Sequence, residues 1–298
     1  MAGAGQGGPG AAAQARLART MARSIAEWRM LEDGDRVLVA VSGGKDSYAL
    51  LDLLWSLRRR APIGFDVVAV HVDQGQPGYD GRPLEGWLTR LGAPFEIVRR
   101  DTYSKVMELV AEGEARTYCA PCSRFRRGIL YAAARRLGCN KLALGHHRED
   151  TLETFVMNLM YAGKLQAMPA RYRVDQGDLE VIRPLIACAE ADLAEHAAAA
   201  GYPILPCNLC GSQSGLKRDE VGALLASLEA RIPGVKQVML KSLGNVRPSH
   251  LLDAEVAEVW AARGGAGAEH GHGQGEEAGE GEGCASEPVR AGSLPVVR

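Results

Sequence analysis

The sequence predicts an α/β fold, a doubly wound parallel sheet with a small helical extension towards the C-terminus. Three observations predict it. Residues 37–41 (VLVAV) are an unbroken apolar run, which suits a strand covered on both faces. Ser42-Gly43-Gly44-Lys45-Asp46-Ser47 interrupts the run, and residues 48–57 then carry apolar side chains at helical spacing. Two further runs, 65–72 (FDVVAVHV) and 141–145 (KLALG), repeat the order of strand followed by helix. Strands alternating with helices imply parallel pairing through right-handed crossovers.

The bulk properties narrow the class. A chain of 298 residues can bury a full core, as one large domain or two small ones. No segment approaches the roughly 20 apolar residues of a membrane span, and the N-terminus lacks the apolar core of a signal peptide. Seven cysteines without an export signal argue for a reducing, cytoplasmic compartment, where paired cysteines are more often metal ligands or catalytic groups than disulfides. The formal net charge is −1, but residues 115–148 hold eight Lys or Arg and no acidic residue. That local field would attract a polyanion.

Taken in order, residues 1–14 are Gly- and Ala-rich and are expected to be disordered. Residues 15–31 place Leu17, Met21 and Ile25 at helical intervals, with arginines between them. The plain reading is an amphipathic helix on the core, and the sharper one turns those arginines towards RNA. Asp33-Gly34-Asp35 ends that helix before the first strand. Strand, glycine turn and helix aim backbone N–H groups and a helix N-terminus at an anion. The glycines let the backbone approach a phosphate, and Ser42 and Ser47 add hydroxyls. The string is neither GxxxxGK[ST] nor GxGxxG. As a whole after a buried strand, it reads as a nucleotide-binding loop made by Ser42, Gly43, Gly44, Lys45, Asp46 and Ser47.

The strand over 65–72 ends beside that loop, where ligands collect in such a sheet. Residues 84–91 predict a helix and 95–98 a short third strand. Cys119-Ala120-Pro121-Cys122 follows, two cysteines three apart on a predicted turn. Alone, the pair fits zinc, an iron–sulfur cluster or redox use. Ser123 is expected to cap a helix over 124–137, whose five arginines (124, 126, 127, 135 and 136) are either phosphate contacts or a solvated face. The run 141–145 ends at Gly145-His146-His147 and leads into a helix over 151–160, which puts Gly145, His146 and Asp150 at the edge that Ser42 faces. Asp150 is either a partner of the helix dipole or a carboxylate that orients ATP or magnesium.

Residues 161–173 read as an irregular basic loop facing the substrate, 182–186 as an edge strand, and 190–200 as a helix. Cys139 and Cys188 look like small core residues. The second pair, Cys207 and Cys210, makes CxxC twice, for which spacing alone favours four-cysteine zinc. Helices are expected over 224–232, 235–243 and 251–262. Beyond 263 the composition collapses into Gly, Ala and Glu. The expected organisation is therefore a nucleotide-binding domain over 15–205, a cysteine-pair and helical region over 206–263, and a disordered tail over 264–298.

The strings SGGKDS, CAPCSRFRRGIL, LGHHRED, YAGKLQAMP, RPL, PCNLCGSQ and NVRPSH, in that order over residues 21–252, resemble the bacterial tRNA 2-thiocytidine synthetases, within the PP-loop ATP pyrophosphatases. The resemblance implies ATP-dependent thiolation of cytidine in the tRNA anticodon loop, at position 32. It also implies a [4Fe–4S] cluster on Cys119, Cys122 and Cys207, with Cys210 outside the ligand set, overriding the spacing argument for zinc. Mg²⁺ with ATP, Asp46 and Asp150 as catalytic carboxylates, a cysteine desulfurase as sulfur source and a homodimer are implied in the same way. Glu149 departs from the family, which often has Asp there, and the tail has no counterpart. The rivals are a PP-loop tRNA-modifying ligase such as a lysidine synthetase-like enzyme, a uridine thiolase with structural zinc, and a non-catalytic zinc-stabilised RNA-binding module.

Overall fold

The computed structural model describes residues 9–115, 117–205 and 217–263. The elements, in order, are α1 (Pro9–Glu27), β1 (Asp35–Ala40), α2 (Lys45–Leu57), β2 (Phe65–Asp73), α3 (Arg82–Leu91), β3 (Phe95–Arg99), α4 (Tyr103–Ala111) and α5 (Cys119–Arg136). There follow β4 (Lys141–Ala143), α6 (Arg148–Ala162), β5 (Arg171–Arg173), β6 (Glu180–Ile182), α7 (Glu190–Ala200), α8 (Lys217–Arg231), α9 (Val235–Leu243) and α10 (Ala254–Ala262).

The strand order is β3-β2-β1-β4-β6-β5. Every pairing is parallel except β5 with β6. The chain leaves β1 towards β2 on one side and returns to β4 on the other, so the order reverses between β1 and β4, where an open α/β sheet binds its ligand. Both faces of the sheet are covered, which explains why β1 and β2 lack polar alternation. On one face Leu17, Met21, Leu50, Leu51, Leu54, Leu84, Leu88 and Leu193 pack against Val37, Val39 and Val67. On the other, Leu130, Ala133 and Ala134 of α5 cover Leu38, Val68, Val70, Leu142 and Val181. A smaller cluster joins Leu152 and Val156 of α6 to Val221 and Leu225 of α8.

Several elements differ from the sequence expectation for physical reasons. α1 starts at Pro9, inside the stretch expected to be disordered, because Ala13 is buried and Gly10 lets α1 approach α7: a Cβ on Gly10 would lie 2.2 Å from that of Ala199. The turn expected at Cys119–Cys122 is the first turn of α5, so Ser123 lies inside the helix rather than capping it. Residues 180–182 form an inner strand, not an edge, because residues 171–173, expected to be irregular, turn back and pair with them. Helix α4 was not anticipated, and α8 starts seven residues before the expected helix.

The described residues divide into two compact units, one up to residue 245 and one over residues 246–263. In the second, a short 3₁₀ turn (Pro248–His250) precedes α10, whose N-terminus Asp253 caps by accepting from the Val256 N–H at 3.0 Å.

Candidate active site

The loop after β1 is held by its own hydroxyls. The Ser47 hydroxyl donates to the Gly44 carbonyl at 2.8 Å, and its oxygen accepts from the Ser42 N–H at 3.1 Å. Ser42 Oγ accepts in turn from the Gly44 N–H at 3.3 Å. Gly43 has φ +90°, and a Cβ there would meet the Leu205 side chain at 2.9 Å, so glycine is required on two counts. The Leu205 N–H donates to the Gly43 carbonyl at 2.9 Å and pins the chain after α7 onto the loop. Gly44 precedes α2 without a side-chain cap, so the first N–H groups of that helix face the switch point.

Gly145, after β4, lies against the other side of the loop. A Cβ there would stand 3.1 Å from the Asp46 carbonyl carbon and 3.2 Å from the Ser47 nitrogen. Glycine is what allows the two strand ends to close on each other.

Charged groups converge on this edge. Lys45 Nζ lies 3.2 Å from Asp46 Oδ2 and 2.9 Å from Glu190 Oε1 at the start of α7. His147 Nε2 stands 4.0 Å from Asp46 Oδ2 and 3.5 Å from Asp150 Oδ2, while its Nδ1 is 3.4 Å from Glu149 Oε2. The His147 N–H donates to Asp150 Oδ2 at 3.0 Å, and Arg218 of α8 reaches Asp150 Oδ1 at 3.0 Å. Burial pushes the Asp46 carboxyl up, with Lys45 and His147 only partly offsetting it. For His147, burial favours the neutral ring but is outweighed by Glu149, Asp150 and Asp46, so its pKa is raised. Glu149 is buried, yet the His147 ring beside it and hydrogen bonds from Arg148 bring it down to about 2. His146 is neutral, down to about 4, through burial and the Arg183 guanidinium, whose Nε lies 3.3 Å from its Nδ1.

Asp46 Oδ1 is buried with no hydrogen-bond partner among the described residues. An orphaned carboxylate oxygen beside a phosphate-type loop fits Mg²⁺, a hard cation that takes oxygen ligands. Among the described residues no three His, Cys, Asp or Glu side chains gather as a metal site.

A cavity of about 200 Å³ runs from this loop to Gln74 and Arg126, the two side chains beside Cys122. Ser42, Gly44 and Leu205 line one part, His71 and Tyr79 another, and Gln74 and Arg126 a third. His71 donates from Nδ1 to the Val41 carbonyl at 2.7 Å and accepts the Tyr79 hydroxyl at Nε2, at 2.6 Å, so burial and geometry both keep it neutral. Gln74 Oε1 is 3.1 Å from Cys122 Sγ, and Arg126 Nη2 is 3.7 Å from the same sulfur. Cys119 and Cys122 stand one helical turn apart at the N-terminus of α5, which has no acidic residue in its first turn. Two cysteine sulfurs one helical turn apart at a helix N-terminus are a donor pair that fits an iron–sulfur cluster. Cys207 and Cys210 lie outside the described residues.

Of the residues expected at the site, Ser42, Gly43, Gly44, Lys45, Asp46, Ser47, Gly145, His146 and Asp150 meet at the switch point. Cys119 and Cys122 lie on α5, which meets the same cavity through Arg126. Sequence reasoning missed Glu190, Arg218 and Gln74, whose roles arise from tertiary placement; for Gln74 the one signal was its position just after a strand end. Of the five α5 arginines, Arg135 pairs with Asp178 at 2.5 Å and Arg136 with Glu96 at 2.7 Å, so both serve the fold.

A glycine loop at the switch point of such a sheet is a nucleotide-binding arrangement, and the family model described as "PP-loop domain" matches residues 13–203. A tRNA-cytidine(32) 2-sulfurtransferase from Sorangium cellulosum is 56% identical over 238 residues, 80% of this chain and 83% of that protein. One from Burkholderia mallei is 52% identical over 241 residues, 81% and 72% of the two chains. The chain belongs to the tRNA-cytidine(32) 2-sulfurtransferase family. Among solved structures, the U34-tRNA thiolase NcsA from Methanococcus maripaludis, with its [4Fe–4S] cluster, shares the fold: TM-score 0.62 at 22% identity, covering 84% of this chain and 88% of that one.

Proposed function

We propose that the protein thiolates cytidine 32 of tRNA at C2, activating the C2 oxygen with ATP and replacing it with sulfur. The observation that carries this reading is the single cavity whose lining includes both the glycine loop and the two side chains on Cys122. That continuity supports a reading in which the nucleotide loop and the sulfur-transfer side of the site share one pocket.

The C2 oxygen is a poor leaving group. Attack of that oxygen on the α-phosphate of ATP forms an O–P bond and expels pyrophosphate, after which AMP can leave. The N–H groups at the start of α2, the hydroxyls of Ser42 and Ser47, and Lys45 would hold the polyphosphate while charge moves onto the leaving pyrophosphate. Asp46 and Asp150 would hold Mg²⁺, with His147 and Arg218 fixing Asp150. The apolar part of the lining, Val41, Val70, Val72, Leu130 and Leu205, would limit the water that could hydrolyse the activated base. A [4Fe–4S] cluster held by Cys119, Cys122 and Cys207 would present sulfur to C2. A nucleotide of the anticodon loop is already near single-stranded, which lowers the cost of bringing its base out of the stack. The same reading carries a cytoplasmic setting, a cysteine desulfurase as sulfur source and a homodimer. No described helix is long and apolar enough to cross a membrane.

Anaerobic purification followed by iron, sulfide and zinc analysis tests the reading, together with a thiolation assay that identifies the nucleotide product. Iron and sulfide on the protein, with AMP and pyrophosphate formed per thiolated tRNA, is the expected result. Stoichiometric zinc without iron, or release of ADP, overturns it.

A further inference from the structure

Gln74 sits immediately after β2 and is 8% exposed. Its carbonyl accepts from the Tyr103 N–H at 3.0 Å, which ties it to the start of α4. Its side-chain oxygen is 3.1 Å from Cys122 Sγ and 3.3 Å from Thr102 Oγ1, so thiol and hydroxyl both donate to one buried carbonyl. On the same sulfur, Arg126 places Nη2 at 3.7 Å, four residues along α5. Both side chains also line the cavity that starts at Ser42 and Gly44.

We propose that Gln74 and Arg126 are positioning residues for the Cys122 thiolate as a cluster ligand, donating to its sulfur from the wall of the nucleotide cavity. The inference rests on the thiolation reading. A cysteine that ligates a cluster does so as a thiolate, so with the cluster bound the Gln74 amide presents its NH₂ in place of its oxygen. Its NH₂ then donates to the Cys122 sulfur and to Thr102 Oγ1, two contacts available to the same heavy atoms in either orientation. Thr102 is itself buried and keeps a partner in both states. Arg126 supplies a donor and a fixed positive charge to the same sulfur. Hydrogen bonds and positive charge at a cluster sulfur stabilise the reduced cluster and orient the ligand. Because both residues also line the nucleotide cavity, they hold the thiolate in register with the loop that binds ATP.

The test compares wild type with Gln74→Leu, Arg126→Gln and Arg126→Lys, all purified and reconstituted anaerobically. Melting of the metal-free proteins serves as the fold control. Iron and sulfide content, the electron paramagnetic resonance spectrum of the reduced cluster, its midpoint potential and its rate of loss to a chelator are read. Gln74→Leu and Arg126→Gln are expected to load iron but lower the reduced-to-oxidised ratio at fixed poise by about tenfold, about 59 mV for one electron. Their spectra change and their clusters are lost faster, while Arg126→Lys recovers most of the shift. If Gln74→Leu does not fold, the Arg126→Gln and Arg126→Lys pair decides. Loaded variants with the wild-type potential and spectrum overturn the proposal and leave the thiolation reading standing. Wild type that binds zinc and no iron overturns both.

Discussion

The two oxygens of Asp46 are in different situations: Oδ2 faces Lys45 and His147, and Oδ1 is buried and unpartnered among the described residues. Leaving such an oxygen unmet costs about 1–3 kcal/mol, more for a charge, and a cation arriving with ATP removes that cost. Asp46→Asn and Ser47→Ala should therefore lower ATP-dependent thiolation by about 100-fold or more, while iron content stays at the wild-type level. Normal thiolation by Asp46→Asn would reduce the loop to a structural turn. Glu149 and His147 make a second residue-scale prediction. Glu149, at about 2 when folded, contributes stability that is present above the ordinary carboxylate pKa and lost as pH falls towards 2. His147 has a raised pKa, so its contribution is full below the ordinary imidazole value and is lost as pH rises through the folded value. Glu149→Gln should thus flatten the stability profile on both limbs. Urea midpoints at intervals from pH 3 to 9 would read it, and curves parallel to wild type would refute the pairing.

Among the elements, β4 and β6 are held at the end of the sheet away from the site by a buried ion cluster. Lys141 Nζ lies 2.5 Å from Glu180 Oε2 and 3.7 Å from Asp35 Oδ2, and Asn140 donates to the other Asp35 oxygen at 2.6 Å. Among the described residues, removing Lys141 leaves Asp35 with hydrogen bonds but no cation and Glu180 with Arg171 alone, at 3.3 Å, so Lys141→Met should cost about 3 kcal/mol of stability. Denaturant unfolding would show that loss, and ATP affinity of the folded fraction should not change. The buried strands and the glycine loop were legible in the sequence because each is encoded locally, by an apolar run or a turn that only glycine permits. Strand β5 was not, since Arg171–Arg173 has no apolar period and becomes a strand only where β6 offers it an edge. Gln74 and Glu190 were equally illegible: single polar residues acquire a role from whatever the fold sets opposite them. The helical start at Cys119 escaped notice because Pro121 suggests a turn, although proline is tolerated in the first turn of a helix.

For the whole molecule, charge distribution outweighs net charge. Residues 264–298 hold six acidic and two basic residues, so a chain ending at Arg263 would carry a formal charge of +3 in place of −1. Their composition has no apolar period, so nothing in it suggests a folded contribution to the site. The acidic excess repels a polyanion, and the repulsion is screened within about 10 Å at 0.1 M salt. Truncation after Arg263 should leave cluster content and thiolation at full-length levels. It should also tighten tRNA binding a few-fold at low salt, on the order of 20 mM, with the difference gone by roughly 200 mM. Binding isotherms of both proteins across that salt range provide the measurement, alongside thiolated tRNA from a host complemented with each chain. Equal affinity at every salt concentration would show that the tail's charge does not reach the RNA, and lost modification at equal protein level would assign it a role its composition does not reveal.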